Sequence, residues 1–115
     1  MIRIVTESMS DFTQEEAKAA DLIVMPLPIR FGMEEYWDDG VSLTQDDFYA
    51  RLRVAKELPK TSQVPVEHYR KCFNRLLENP EDEVLVITGS SKLSGCYQSA
   101  CIAREACHDP ARVTV

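Results

Sequence analysis

The sequence predicts an α/β domain, a mostly parallel sheet with helices on both faces. Three observations predict it. Apolar and β-branched runs at residues 2–5, 22–29 and 84–88 alternate with stretches of helical period. The run "VLVIT", Val84–Thr88, is apolar without alternation, as in a strand covered on both faces. Cap and turn signals fall between these runs and not inside them.

Ile2, Ile4 and Val5 read as a short buried strand. "TQEE", Thr13–Glu16, has the form of a capping box and opens a short Ala-rich helix that ends near Asp21. "LIVMPLPI", Leu22–Ile29, is the next strand, and Pro26 and Pro28 push its second half toward an edge or a bend. "FGMEEYWDDGVSL" carries turn chemistry at Gly32 and Asp39–Gly40, so a hairpin excursion is expected, with Tyr36 and Trp37 packing it onto the domain.

"TQDD", Thr44–Asp47, starts a second helix with acids in its first turn and Phe48, Leu52 and Ala55 on its inner face. "LPKTSQVP" is a polar loop, and Pro65 suits the first position of a third helix. Tyr69, Cys72, Phe73, Leu76 and Leu77 follow the spacing of one apolar helical face. After the strand at Val84–Thr88, residues 95–107 form a fourth helix, with Ser94 as its expected N-cap, and "RVTV" begins another strand.

Composition narrows the function. A chain of 115 residues with 44% hydrophobic and 28% charged side chains can bury one core. A net charge of −6, with Lys and Arg scattered singly, argues against nucleic acid or an anionic membrane surface as main partner. No apolar run approaches the roughly 20 residues of a membrane helix, and the opening "MIRIVTESM" is not a signal peptide, so an integral membrane protein is not expected and the cytoplasm is. The four cysteines lack paired spacing and read as small reduced hydrophobes; no metal and no cofactor is expected.

In parallel α/β sheets ligands sit beyond the carboxyl ends of the strands. Three polar loops take that position: Thr6–Ser10, Lys60–Gln63 and Gly89–Gly95. The last, within "GSSKLSGCYQSA", suggests an anion site. A Walker phosphate loop is excluded, because five residues separate Gly89 from Gly95 and Lys92 precedes the second glycine. No G-x-S-x-G or S-x-x-K pattern surrounds its serines, and His68 and His108 read as surface residues, so no catalytic residue is expected. Ser94 either caps the following helix or, with the free N–H groups after it, meets an anionic oxygen. Thr61 and Ser62 stand ready to supply further donors at the same end of the sheet.

"LPKTSQ" followed by "VLVITGSSKLSGCYQSA" resembles the DegV family of bacterial fatty-acid-binding proteins. "IRIVTESMSDF" is similar to that family's opening strand and loop, and "MPLPIRFGMEEYWDDGVSLTQDDFYARL" to its Pro-Leu, Phe-Gly and Tyr-x-Asp-Gly segment. The likeness runs through essentially the whole chain. It implies the N-terminal α/β domain of a two-domain protein, the second domain being absent, with a long-chain fatty acid held between the two. It further implies that some members serve as the binding subunit of fatty acid kinase, presenting the carboxylate to a separate kinase subunit.

By this resemblance Thr61 of "TSQ" and Ser94 of "LSG" hydrogen-bond the carboxylate, while Ser62, Ser91, Gly95 and Ser8 shape the pocket. The chain departs from the family pattern at Glu7, where aspartate is usual, at Cys96, where threonine is usual, and at Met9 and Thr88. An acyl tail gains roughly 0.8 kcal/mol per buried CH₂, and one domain of this size can hardly enclose such a tail. Weak binding by the isolated domain is expected, together with self-association through exposed apolar surface. The alternatives are an α/β enzyme acting on a small anion and an interaction domain with a vestigial site.

Overall fold

The computed structural model describes residues 1–115. Its elements are β1 (Ile2–Glu7), α1 (Gln14–Ala19), β2 (Leu22–Met25), β3 (Pro28–Phe31), β4 (Glu34–Trp37), α2 (Gln45–Val54), β5 (Lys60–Thr61), α3 (Val66–Leu76), β6 (Glu83–Ile87), α4 (Cys96–Ala106) and β7 (Val113–Thr114). The main sheet is wholly parallel, in the order β2-β1-β6-β7. A second, antiparallel sheet in the order β4-β3-β5 is the excursion.

The prolines decide where one sheet ends and the other begins. Pro26 has no N–H to continue the ladder, so the chain leaves the main sheet at Met25 and enters the second at Pro28. The Leu27 N–H between them is satisfied by Ser8 Oγ at 3.0 Å. Gly32, at φ 60°, makes the tight turn between β3 and β4. "LPKTSQVP" is more ordered than its polarity predicts: Lys60 and Thr61 pair with Arg30 and Ile29.

From β1 the chain crosses to β2 through α1, and from β6 it crosses the opposite way to β7 through α4. Right-handed crossovers in opposite directions put their helices on opposite faces. Val5, Val84, Val86 and Val113 accordingly join Tyr69, Cys72, Phe73, Ala100 and Ala103 in the main core. On the other face the six-residue α1 is too short to cover the sheet. Leu85 is half-buried and Ile87 is 52% exposed, so "VLVIT" is not covered on both sides as its apolarity predicts.

The capping box is formed: Glu16 N–H donates to Thr13 Oγ1 at 3.1 Å, and Thr13 N–H to Glu16 Oε2 at 2.9 Å. The apolar face of α3 is as the spacing predicts, with all five residues buried. Pro65 is its N-cap and Val66 its first residue, one position later than expected. The second helix buries nothing fully; Phe48 meets Phe31 and Tyr49, ring centroids 5.9 and 5.4 Å away. Trp37 packs on His68 of α3 at 5.1 Å, which seats the hairpin on the domain. The radius of gyration, 15.0 Å, exceeds the roughly 13 Å of a compact chain of this length, because the second sheet and α2 form a thin arm.

Removing the fully buried Phe73 ring with Phe73→Ala is expected to cost about 3–5 kcal/mol, and Thr13→Ala about 1 kcal/mol, in urea denaturation. Cys72, Cys96 and Cys107 are buried and Cys101 only half so; burial also pushes the Cys72 and Cys96 thiols up. A thiol reagent should label Cys101 first and the other three only as the protein unfolds.

Candidate functional site

Neighbouring parallel strands whose crossovers run in opposite directions leave a crevice beyond their carboxyl ends. Here that pair is β1 and β6. The loop after β1 begins at Ser8, the loop after β6 at Thr88, and the third polar loop arrives from β5. All three expected loops meet there. A Cβ on Gly89 would lie 2.6 Å from Met9 Cε and 3.2 Å from Glu7 Oε1, and one on Gly95 3.1 Å from the Gln63 carboxamide. Val64 N–H donates to Cys96 Sγ at 3.4 Å, joining the β5 loop to the first turn of α4.

Ser94 is half-buried, and its Oγ accepts from Cys96 N–H at 3.2 Å. The formal N-cap is Gly95, one residue later than expected, and Ser94 reaches over it to satisfy the first helical N–H. The Ser94 O–H has the Cys96 sulfur beside it, a weak acceptor that an anionic oxygen on the outer side can replace. Helix capping and ligand donation are therefore compatible roles for one hydroxyl. Ser90 O accepts from Leu93 and Ser94 N–H, which folds the loop into a tight turn and leaves Ser91 exposed.

Thr61 is exposed at the end of β5 and lines a groove of about 1030 Å³ with Ser8, Met9, Phe12, Ile29 and Phe48. Ser91, Ser94 and Gly95 line a separate open cleft of about 550 Å³ with Leu93 and Tyr97. The loops are joined, but Thr61 and Ser94 do not share one cavity within this chain, and Ser62 lines neither. Ser8 is buried, and its oxygen is taken by Leu27 N–H, so it holds the β1 end in place.

Sequence reasoning missed the residue at the centre of the crevice. Glu7 is 1% exposed. Its Oε1 accepts from Gly89 N–H at 3.2 Å and its Oε2 from Tyr69 O–H at 3.5 Å, while the Cys96 thiol lies against the same carboxyl. Burial, then Cys96 and Glu7, push the Tyr69 phenol up. The sequence signal is faint: an acid ends the strand Ile2–Glu7, whose one basic residue, Arg3, lies four positions back. Glu7 and Cys96, two of the departures from the family pattern, turn out to touch each other.

The donors around Glu7 serve that acid, and the hydroxyls of Thr61 and Ser94 on the outer surface are the groups left to meet an anionic oxygen. No three His, Cys, Asp or Glu side chains come together as a metal would need. At the groove mouth, burial holds the Asp38 carboxyl above its ordinary range, Asp11 and Asp39 add to this, and the Ser8 hydroxyl opposes it. The folded state thus resists ionising Asp38. The stability linked to it is complete below the ordinary value of 3.8 and is lost as pH rises through the raised value. Asp38→Asn should therefore stabilise the protein at neutral pH and change little below pH 3.8, measured by urea titration at both.

The DegV family model matches residues 1–115. A DegV domain-containing protein of Halalkalibacterium halodurans is 41% identical over 102 residues, which is 89% of this chain and 36% of that protein. A fatty acid-binding protein of Thermotoga maritima is 36% identical over 109 residues, with the same two shares. The crystal structure of a stearic acid-binding protein from Eubacterium ventriosum is similar with a TM-score of 0.84 at 34% identity, covering 92% of this chain and 36% of that one. The chain spans little more than a third of the length of these relatives. No helix in it is long and apolar enough to cross a membrane. A parallel sheet whose crossovers reverse direction between β1 and β6, with the whole length matched by one family, leads to one conclusion: this chain belongs to the DegV family.

Proposed function

We propose that this chain holds the carboxylate of a long-chain fatty acid at the crevice between β1 and β6, with Ser94 donating to it from one cleft and Thr61 from the other, the two clefts becoming one site once the rest of the protein covers them. The observation that carries the reading is the joining of the β5 loop to the start of α4 through Val64 and Cys96, beside a Ser94 hydroxyl whose oxygen is already engaged. A carboxylate taken from water must find paired donors, or its desolvation is uncompensated. The loops supply such donors, and the fatty acid and stearic acid bound by the relatives are ligands of that class.

Ser62, Ser91 and Gly95 shape the approach from the exposed side. The apolar groove floor beside Thr61 gives a tail somewhere to start, and its open form leaves most of a long tail exposed. The chain therefore acts as the N-terminal domain of a two-domain cytoplasmic protein, whose remainder closes the acyl site. It binds and does not turn the ligand over; a separate fatty acid kinase subunit would carry out any acyl phosphate formation.

Mass spectrometry of the denatured full protein carrying this chain should release a fatty acid. Thr61→Ala and Ser94→Ala should each weaken stearate binding by roughly two- to tenfold, the equivalent of about 0.5–1.5 kcal/mol for a lost hydrogen bond. Unchanged affinity in both variants would remove them from the site. The isolated 115-residue chain should bind stearate far more weakly than the full protein.

A further inference from the structure

We infer that Glu7 is the positioning residue of this site, a buried acceptor that sets the spacing of the Ser94 and Thr61 loops through Gly89 and Cys96. The inference rests on the carboxylate-binding reading above and deepens it.

The starting point is a cost. Glu7 is almost wholly buried, and none of the six ion pairs of the chain includes it. A buried carboxyl without a counter-charge is unfavourable unless hydrogen bonds compensate it. The compensation comes from two hydrogen bonds, Gly89 N–H at the start of the β6–α4 loop and Tyr69 O–H on α3, with the Cys96 thiol at the first residue of α4 lying against the same carboxyl.

Cys96 carries the effect outward. Its Sγ accepts from Val64 N–H at 3.4 Å. The Ser94 hydroxyl lies against the same sulfur, and the one S–H has Glu7 as its acceptor. Its backbone N–H donates to Ser94 Oγ, which fixes the Ser94 side chain at the start of α4. Val64 lies three residues after Thr61 in the same loop. One carboxyl thus lies on Cys96, whose sulfur holds the Thr61 loop through Val64 and whose backbone N–H holds Ser94. Gly89 belongs to the same brace, because its lack of a side chain lets the loop come down onto Glu7 Oε1.

A residue that merely stabilises the fold and a residue that positions a donor differ in one respect. Loss of the first lowers stability and leaves the effect of Ser94→Ala on binding intact. Loss of the second makes Ser94 irrelevant. Glu7→Gln keeps the size of the side chain and an acceptor for Gly89, and turns an N–H₂ toward Tyr69 and Cys96, where an acceptor is needed.

The experiment is stearate affinity in the full protein for Glu7→Gln, Ser94→Ala and the double variant, with amide hydrogen exchange of the ligand-free protein alongside. We expect Glu7→Gln to weaken stearate by at least about fivefold, and Ser94→Ala to add less than about twofold in that background. Exchange at the Gly89, Val64 and Cys96 amides should quicken by about tenfold while amides of the α3 core hold. Cys96→Ser, which keeps a donor and an acceptor, should retain binding where Cys96→Ala loses it; this pair decides the matter if Glu7→Gln does not fold. Full additivity of the double variant, or unchanged affinity and exchange in Glu7→Gln, overturns the inference. If the unaltered protein takes up no stearate, the carboxylate reading fails, while the exchange data still show whether the brace exists.

Discussion

The pairing of β1 with β6 is the constraint on which the rest of the structure depends. Ile2–Thr6 runs parallel to Glu83–Ile87 in unbroken register, and the Thr6 hydroxyl donates to Ile87 O at 2.9 Å near the carboxyl end. These strands are about eighty residues apart in sequence, so closing the pair orders everything between them. The same pair divides the sheet into two halves whose crossovers run in opposite directions, which is why α1 and α4 lie on opposite faces. The crevice between the two strand ends follows from that reversal and not from any one residue.

What fills the crevice is unusual for an interior. Thr6, Glu7 and Ser8 are all buried at the end of β1, in a place where apolar side chains would cost nothing to desolvate. Each has a task. Thr6 ties the paired strands, Ser8 satisfies the backbone where the prolines break the sheet, and Glu7 gathers Gly89, Tyr69 and Cys96. A polar strand end of this kind exchanges some core stability for fixed geometry in the loops around it.

Much of the architecture was legible from local chemistry. The capping box at Thr13–Glu16, the apolar face of α3 and the hairpin turn at Gly32 all stand where their residues place them. These features depend on neighbours within one turn or on a repeat along one element. The errors lie where distant parts meet. Ile87 is apolar yet half exposed, because α1 is too short to reach it. Phe48, Leu52 and Ala55 have the right spacing for a core face, but the thin second sheet offers little to pack against. Ser94 caps α4 from one residue further back than expected, since Gly95 takes the cap geometry.

The site divides in the same way. By itself the sequence determined the parallel α/β class and the three polar loops at the carboxyl ends, and it offered the hydroxyls at Thr61 and Ser94 as candidate donors, because strand period, glycine spacing and side-chain chemistry are local properties. Only the tertiary structure decided that Glu7 sits between Gly89, Tyr69 and Cys96, and that Thr61 and Ser94 face separate cavities in this chain. The reason is physical. A buried hydrogen bond between residues 7 and 89, or a loop seated on a glycine thirty residues on, leaves no periodic trace in the chain. It exists only once β1 and β6 have closed and brought the loop ends within reach.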